Sequence, residues 1–211
     1  MRIPGPFVTF EGGEGSGKST QLRLLAARLS ADGHTVVTTR EPGGTPGAEA
    51  VRRLLLEGDG DRWSALAELY LFLAARTDHV ERLVAPARAR GAFVLCDRFH
   101  DSTRVYQGLA GGLGLALVDR LQAPVLARAR PDLTVLLDLA PEVGLARRAR
   151  AGGGGRFERR DPDFHRRVRE GFLELARREP ERIRVFDATL PEAVLADEIY
   201  RTVRDRFGRE P

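Results

Sequence analysis

The stretch Phe10-Glu11-Gly12-Gly13-Glu14-Gly15-Ser16-Gly17-Lys18-Ser19-Thr20 fits G-x-x-x-x-G-K-S, the spacing of a loop that wraps phosphate oxygens. Its glycines let successive backbone N–H groups turn toward an anion, and a helix starting near Lys18 adds the positive end of its dipole. Lys18 is then the side chain that reaches the β- and γ-phosphates, and the Ser19 hydroxyl is a ligand for Mg²⁺. Lys18 is also the chain's only lysine. A sequence that otherwise prefers arginine keeps a compact ammonium where a point charge must fit among phosphates. The same string would serve as a flexible turn, but it sits between a strand-like and a helix-like run, the context that phosphate binding requires.

Further residues able to do chemistry follow. Phe93-Val94-Leu95-Cys96-Asp97 is an apolar run ending in a carboxylate, the form of a strand that orders Mg²⁺ beside a phosphate loop, and Arg98 comes next. A surface Asp–Arg pair would read the same way; the place at a strand's carboxyl end favours function. Ser102, Thr103, Tyr106 and Gln107 are neutral hydrogen-bonding groups that either read a polar heterocycle or cap and start a helix. Arg76 falls on an apolar stripe, which makes it a buried ion-pair partner, a snorkelling side chain or a ligand contact. Phe72, one turn earlier, is core or a stacking platform. Arg147, Arg148 and Arg150 precede the four glycines 152–155, and Arg156, Arg159 and Arg160 follow them. Such a run is commonly a solvated charged loop; beside a phosphate loop, a glycine hinge between planar cations favours a lid over about 148–162.

These residues need a frame to hold them. Strands are expected at 7–10 and 35–39, joined by a helix from Lys18 to about Ser30 in a right-handed βαβ unit. The run Arg40-Glu41-Pro42-Gly43-Gly44-Thr45 is the turn at the second strand's carboxyl end, where ligands of open α/β sheets collect. Helices are expected at about 46–56, 64–90, 115–128, from Pro141, 161–179 and 190–207, with strands at 93–97, 133–138 and 183–187. The expected fold class is α/β, three layers built on a five-stranded parallel sheet flanked by helices, as one domain over 1–211 carrying the Arg/Gly-rich lid.

The totals narrow the function. With 42% hydrophobic and 30% charged residues the chain suits a globular protein. Its pI of 9.9 invites nucleic acid, yet the arginines are spread over many helices, which fits small anionic ligands better. The single cysteine, Cys96, permits no internal disulfide. No apolar run is long enough for a signal peptide or a membrane span, so a cytoplasmic protein is expected.

Together, FEGGEGSGKST at 10–20, TREPGGT at 39–45, F-x-x-x-R at Phe72 and Arg76, DRFHDSTRVYQG at 97–108, RPDLTVLLDL at 130–139 and DAT at 187–189 resemble the bacterial thymidylate kinases almost end to end. The resemblance implies a P-loop NTPase fold and phosphoryl transfer from Mg·ATP to dTMP, giving ADP and dTDP on the way to dTTP. It implies ATP phosphates on residues Gly12 to Thr20, with Gly12, Gly13, Glu14, Gly15, Ser16, Gly17, Lys18, Ser19 and Thr20 forming the cradle. By similarity Phe72 stacks on thymine, Arg76 and Thr103 meet its polar edge, and Ser102 and Gln107 support the site. Arg98 and Arg52 would hold the dTMP phosphate, Glu14 the sugar 3′-hydroxyl, and Tyr106 would crowd the 2′ position. Ser19 and Asp97 would hold Mg²⁺, with Glu41 close to the metal and the transferred group. Lys18 and Arg98 would act on the transferring phosphate with one lid arginine, Arg156 first and then Arg150 and Arg159. The four-glycine run departs from the family pattern. A homodimer, a cis peptide before Pro42, and no nucleic-acid or membrane partner are also implied.

Three other readings remain open from the residues alone. A P-loop kinase for another small acceptor would lack selectivity from Phe72, Arg76 and the 97–108 cluster. A GTP-dependent switch would carry an N-K-x-D element, which this chain lacks. Nucleic-acid binding would show a steep salt dependence.

Overall fold

The structure is a computed structural model and describes residues 4–57, 62–152 and 155–208. Five strands, β1 (Phe7–Glu11), β2 (Val36–Arg40), β3 (Phe93–Asp97), β4 (Leu133–Asp138) and β5 (Ile183–Asp187), form one parallel sheet in the order β2-β3-β1-β4-β5. Central β1 is buried along its whole length, which is why it reads as an unbroken apolar and β-branched run up to Glu11. On either side of β1 the chain winds in opposite directions, so a crevice opens at the carboxyl ends of β1 and β3. Register sets Phe10 of β1 opposite Asp97 of β3, which brings that carboxylate to the mouth of the phosphate loop.

Helices cover both faces. On one, α1 (Lys18–Ala31) and α9 (Glu192–Phe207) pack Leu22, Leu25, Ile199 and Val203 onto Val8, Phe10 and Leu95. On the other lie α3 (Ala65–His79) with its extension, α6 (Leu115–Leu126) and α8 (Pro162–Arg178), packed on Phe7, Val94, Cys96 and Leu136. The short α2 (Pro46–Leu56) follows the turn at β2, its N-terminus capped by the Thr45 side chain. α7 (Pro141–Arg150) leads into the Arg/Gly-rich segment before α8, of which residues 153 and 154 lie outside the described residues.

One sequence expectation changes. The helix expected over 64–90 is interrupted by a π turn at Val80–Val84 before α4 (Ala85–Ala89), where Pro86 has no N–H to offer the preceding turn. The cluster 102–107 lies on α5 (His100–Thr103) and a second π turn (Arg104–Leu109), so these residues sit within a helical segment and still face a cleft.

That segment is pinned from beneath. Asp101, buried at 1% exposure, receives both terminal nitrogens of Arg182 at 2.7 and 2.8 Å, and Thr134 Oγ1 donates to it from β4 at 3.2 Å. Arg182 Nε and Arg104 Nη1 both reach Glu179, at 2.8 and 2.6 Å. Removing one member of a buried pair strands the other's charge, at about 3–5 kcal/mol. Asp101→Ala is therefore expected to lower the urea midpoint sharply by circular dichroism, and adding Arg182→Met should recover much of the loss. A single variant as stable as the wild type contradicts the pinning role.

Candidate active site

The phosphate loop joins β1 to α1 through positive φ at Gly12, Gly15 and Gly17. At Gly15 this freedom is required twice over, because a Cβ there would lie 2.0 Å from the Gly144 carbonyl of α7. Gly144 returns the constraint: its own Cβ would lie 2.1 Å from the Glu14 carbonyl. Loop and α7 thus meet backbone to backbone. Lys18 Nζ spans the loop, donating to the Gly12 and Gly13 carbonyls at 3.2 and 2.6 Å and to Ser16 Oγ at 3.2 Å. Burial, followed by the nearby Arg98 charge, lowers its ammonium to about 8. Ser19 Oγ donates to Asp97 Oδ2 at 2.5 Å. This hydroxyl and carboxylate are oxygen donors of the kind Mg²⁺ takes when phosphates supply further ligands. Among the described residues no group of three or more His, Cys, Asp or Glu is placed to hold a metal by itself.

Beside the loop opens a cavity of ≈ 240 Å³. Arg98 crosses its floor from the left-handed backbone region at φ 66, a conformation costing a non-glycine residue on the order of 1 kcal/mol. Its terminal nitrogens donate to the Gly12 carbonyl at 3.0 Å, Ser102 Oγ at 3.1 Å and Glu14 Oε1 at 2.7 Å. Tyr106 donates to the same Glu14 oxygen at 2.9 Å. Burial opposes ionisation of Glu14, but Arg98, Lys18 and the Tyr106 hydroxyl outweigh it and hold the carboxyl at about 2. Glu11, buried under the loop, accepts from Phe99 N, Ser102 N and Ser102 Oγ and so fixes the start of α5.

The far wall is built around Arg76. Its side chain is 2% exposed yet lines the cavity, which joins two of the sequence alternatives: it is a buried ion-pair partner at a ligand-sized opening. Nε donates to Glu41 Oε2 at 2.8 Å, Nη2 to Thr103 Oγ1 at 2.9 Å and Nη1 to Gln122 Oε1 at 3.3 Å. Phe72 lines the same wall, as do Arg52, whose Nη1 donates to the Pro42 carbonyl at 2.6 Å, and Gln107, which donates to Glu68 at 2.9 Å. The Glu41–Pro42 peptide is cis. Both Glu41 oxygens are bonded to side chains of α3, Arg76 and His79, and Glu41 itself lines the cavity.

Arg148 and residues 155–158 line the opening. Arg156 lines the cavity and reaches across it to the Leu55 carbonyl at 3.1 Å and to Glu68 Oε2 at 2.6 Å. Arg148 lines it too and pairs with Glu158 at 2.8 Å. Arg150 and Arg159 are exposed and lie outside the cavity lining. Spacing alone does not single out Arg148, which stands one turn after Gly144, on the face of α7 turned to the phosphate loop. Nor does it single out Glu68, His79, Gln122 or Phe157.

Likeness to known proteins decides the family. The profile described as Thymidylate kinase matches residues 10–199. The chain belongs to the thymidylate kinase family. It is 53% identical over 204 residues to the thymidylate kinase of Caulobacter vibrioides, covering 97% of this chain and 98% of that one. It is 53% identical over 210 residues to the thymidylate kinase of Ruegeria pomeroyi, covering 99% of each. Among solved structures, the thymidylate kinase of Ehrlichia chaffeensis matches with a TM-score of 0.77 at 35% identity, over 95% of this chain and 99% of that one.

The lowered ammonium of Lys18 has a stability consequence of definite sign. Between about 8 and the unfolded value of 10.5 the folded protein holds fewer protons than the unfolded chain, so stability rises with pH across that window and is flat below it. Lys18→Met, in phosphate-free buffer, is expected to be more stable than the wild type at pH 7, by on the order of 3 kcal/mol. The gain should vanish as pH rises from 8 to above 10. Urea midpoints across that range check this; a difference that does not depend on pH counts against a strained, buried ammonium.

Proposed function

We propose that this chain transfers the γ-phosphoryl group of ATP to dTMP, giving ADP and dTDP. One observation carries the reading: Arg98 bridges a phosphate loop to a wall where Phe72 and a buried arginine, Arg76, face a nucleoside-sized cavity. ATP lies with its phosphates on the loop, under Lys18. dTMP occupies the cavity with thymine against Phe72 and its polar edge toward Arg76 and Thr103. Its phosphate meets Arg98 and Arg52. Glu14, already bonded by Tyr106, accepts from the sugar.

The chemistry asked of these groups is electrostatic. The dTMP phosphate is anionic at neutral pH, so the acceptor oxygen needs no base; it needs alignment with the γ-phosphorus and relief from repulsion between phosphates. Lys18 and Arg98 provide fixed positive charge on either side of the transfer path. Mg²⁺, held by Ser19 and Asp97, would neutralise phosphate oxygens when bound. Arg148 and Arg156 supply the lid's charge, Arg156 by anchoring the lid to α2 and α3 and Arg148 from the face turned to the loop. Arginines acting on such charge are worth on the order of 10³ in rate.

The proposal includes a cytoplasmic homodimer that needs neither nucleic acid nor membrane. Exposed Leu66 and Tyr70 on α3 and Leu54 on α2 support a self-association face, and no helix among the described residues is long and apolar enough to cross a membrane.

Coupled ADP release with Mg·ATP against dTMP, dUMP, dCMP, dGMP and dAMP tests the reaction. A strong preference for dTMP is expected; equal rates with every acceptor, or none, would remove the assignment. Phe72→Ala should raise KM for dTMP about tenfold or more while KM for ATP stays within about twofold, because a buried aromatic contact is worth on the order of 1.4 kcal/mol or more. Equal losses for both substrates contradict the stacking role.

A further inference from the structure

The His79 ring is fully buried at the end of α3, three residues after Arg76, and has no part in the phosphate chemistry. Its Nδ1 lies 2.9 Å from Glu41 Oε1 and its Nε2 2.8 Å from Thr39 Oγ1. A carboxylate only accepts, so Nδ1 carries the hydrogen of the contact with Glu41, while the Thr39 hydroxyl, able to donate or to accept, meets Nε2. The turn after Pro42 presses on the same pair: a Cβ on Gly44, at φ 90, would lie 2.4 Å from Thr39 Oγ1 and 2.7 Å from His79 Cδ2. The ring is therefore held by β2, by its own helix and by backbone packed over it.

What the ring holds is Glu41. With Oε1 fixed by His79, Oε2 is left to accept Arg76 Nε at 2.8 Å, and the plane of the guanidinium follows from the plane of the carboxylate. Gln122 and Thr103 take one hydrogen each from the two terminal nitrogens. One N–H on each terminal nitrogen remains for a ligand in the cavity that Arg76 lines.

We propose that His79 is a positioning residue for nucleobase recognition, which through Nδ1–H and Glu41 sets the orientation in which Arg76 meets the base edge. This rests on the reading of the cavity as the dTMP site. A space-filling core histidine would act on stability alone, so the test must separate orientation from folding. An asparagine amide can restore a donor near the Nδ1 position; leucine fills the space without one.

His79→Leu is expected to raise KM for dTMP about tenfold, the scale of one misdirected charged hydrogen bond. It should lower the dTMP-over-dCMP ratio in kcat/KM by a similar factor, with kcat and KM for ATP within about twofold. His79→Asn should recover most of both, and Thr39→Val should show a smaller change in the same direction. A second readout needs no turnover: in ¹⁵N-edited spectra the Arg76 Nε–H signal should move in His79→Leu and return toward the wild-type position in His79→Asn. If wild-type protein fails on dTMP, the functional assignment falls, while the spectra still decide whether His79 orients Arg76. Unchanged dTMP KM and selectivity in a folded leucine variant overturn the proposal. So does equal impairment of the leucine and asparagine variants, or an Arg76 signal indifferent to both. Should the leucine variant not fold, the asparagine and Thr39→Val variants carry the same comparison.

Discussion

A guanidinium at 2% exposure survives in a protein only if its charge is matched and its hydrogens are taken, and Arg76 meets both conditions through Glu41, Thr103 and Gln122. The acceptor half of the cleft depends on that pairing. Glu41 arrives from the turn after β2, Arg76 from α3, Thr103 from α5 and Gln122 from α6, so one ion pair ties together the elements that enclose the cavity. Loss of the pair would leave a buried charge and four elements without a shared partner.

The same logic recurs around the opening, with carboxylates standing opposite arginines. Glu14 takes Arg98, Glu68 takes Arg156, and Glu158 takes Arg148. Each pairing keeps a flexible arginine in a defined place before any anion arrives, which lowers the ordering cost of binding. It also limits how far positive charge can accumulate in a buried site. Lys18 lies at that limit: its ammonium is lowered to about 8 by burial and by the neighbouring Arg98, a strain that an arriving phosphate relieves.

Local pattern carried much of this arrangement in the sequence. The phosphate loop, the apolar strand ending in Asp97 and the five-stranded order of elements are readable because each depends on neighbours along the chain. Arg76 shows where such reading stops. Its stripe position allowed three roles, and only partners 35 and 46 residues away, Glu41 and Gln122, choose among them. The π turns at 80–84 and 104–109 carry no periodic signature that separates them from α-helix. Arg148 is not singled out because its direction comes from the contact of Gly144 with the phosphate loop, a tertiary fit that no spacing rule contains. His79 takes its place only through Thr39 and Glu41, 40 and 38 residues away along the chain.

The most direct measurement is a crystal structure of the protein soaked with dTMP, read for the orientation of the nucleotide in the cavity. The account requires the thymine ring over Phe72 with its polar edge on the free N–H groups of Arg76, and the phosphate on Arg98. A phosphate seated at Arg76, or a base lying outside the wall formed by Phe72 and Thr103, would contradict it.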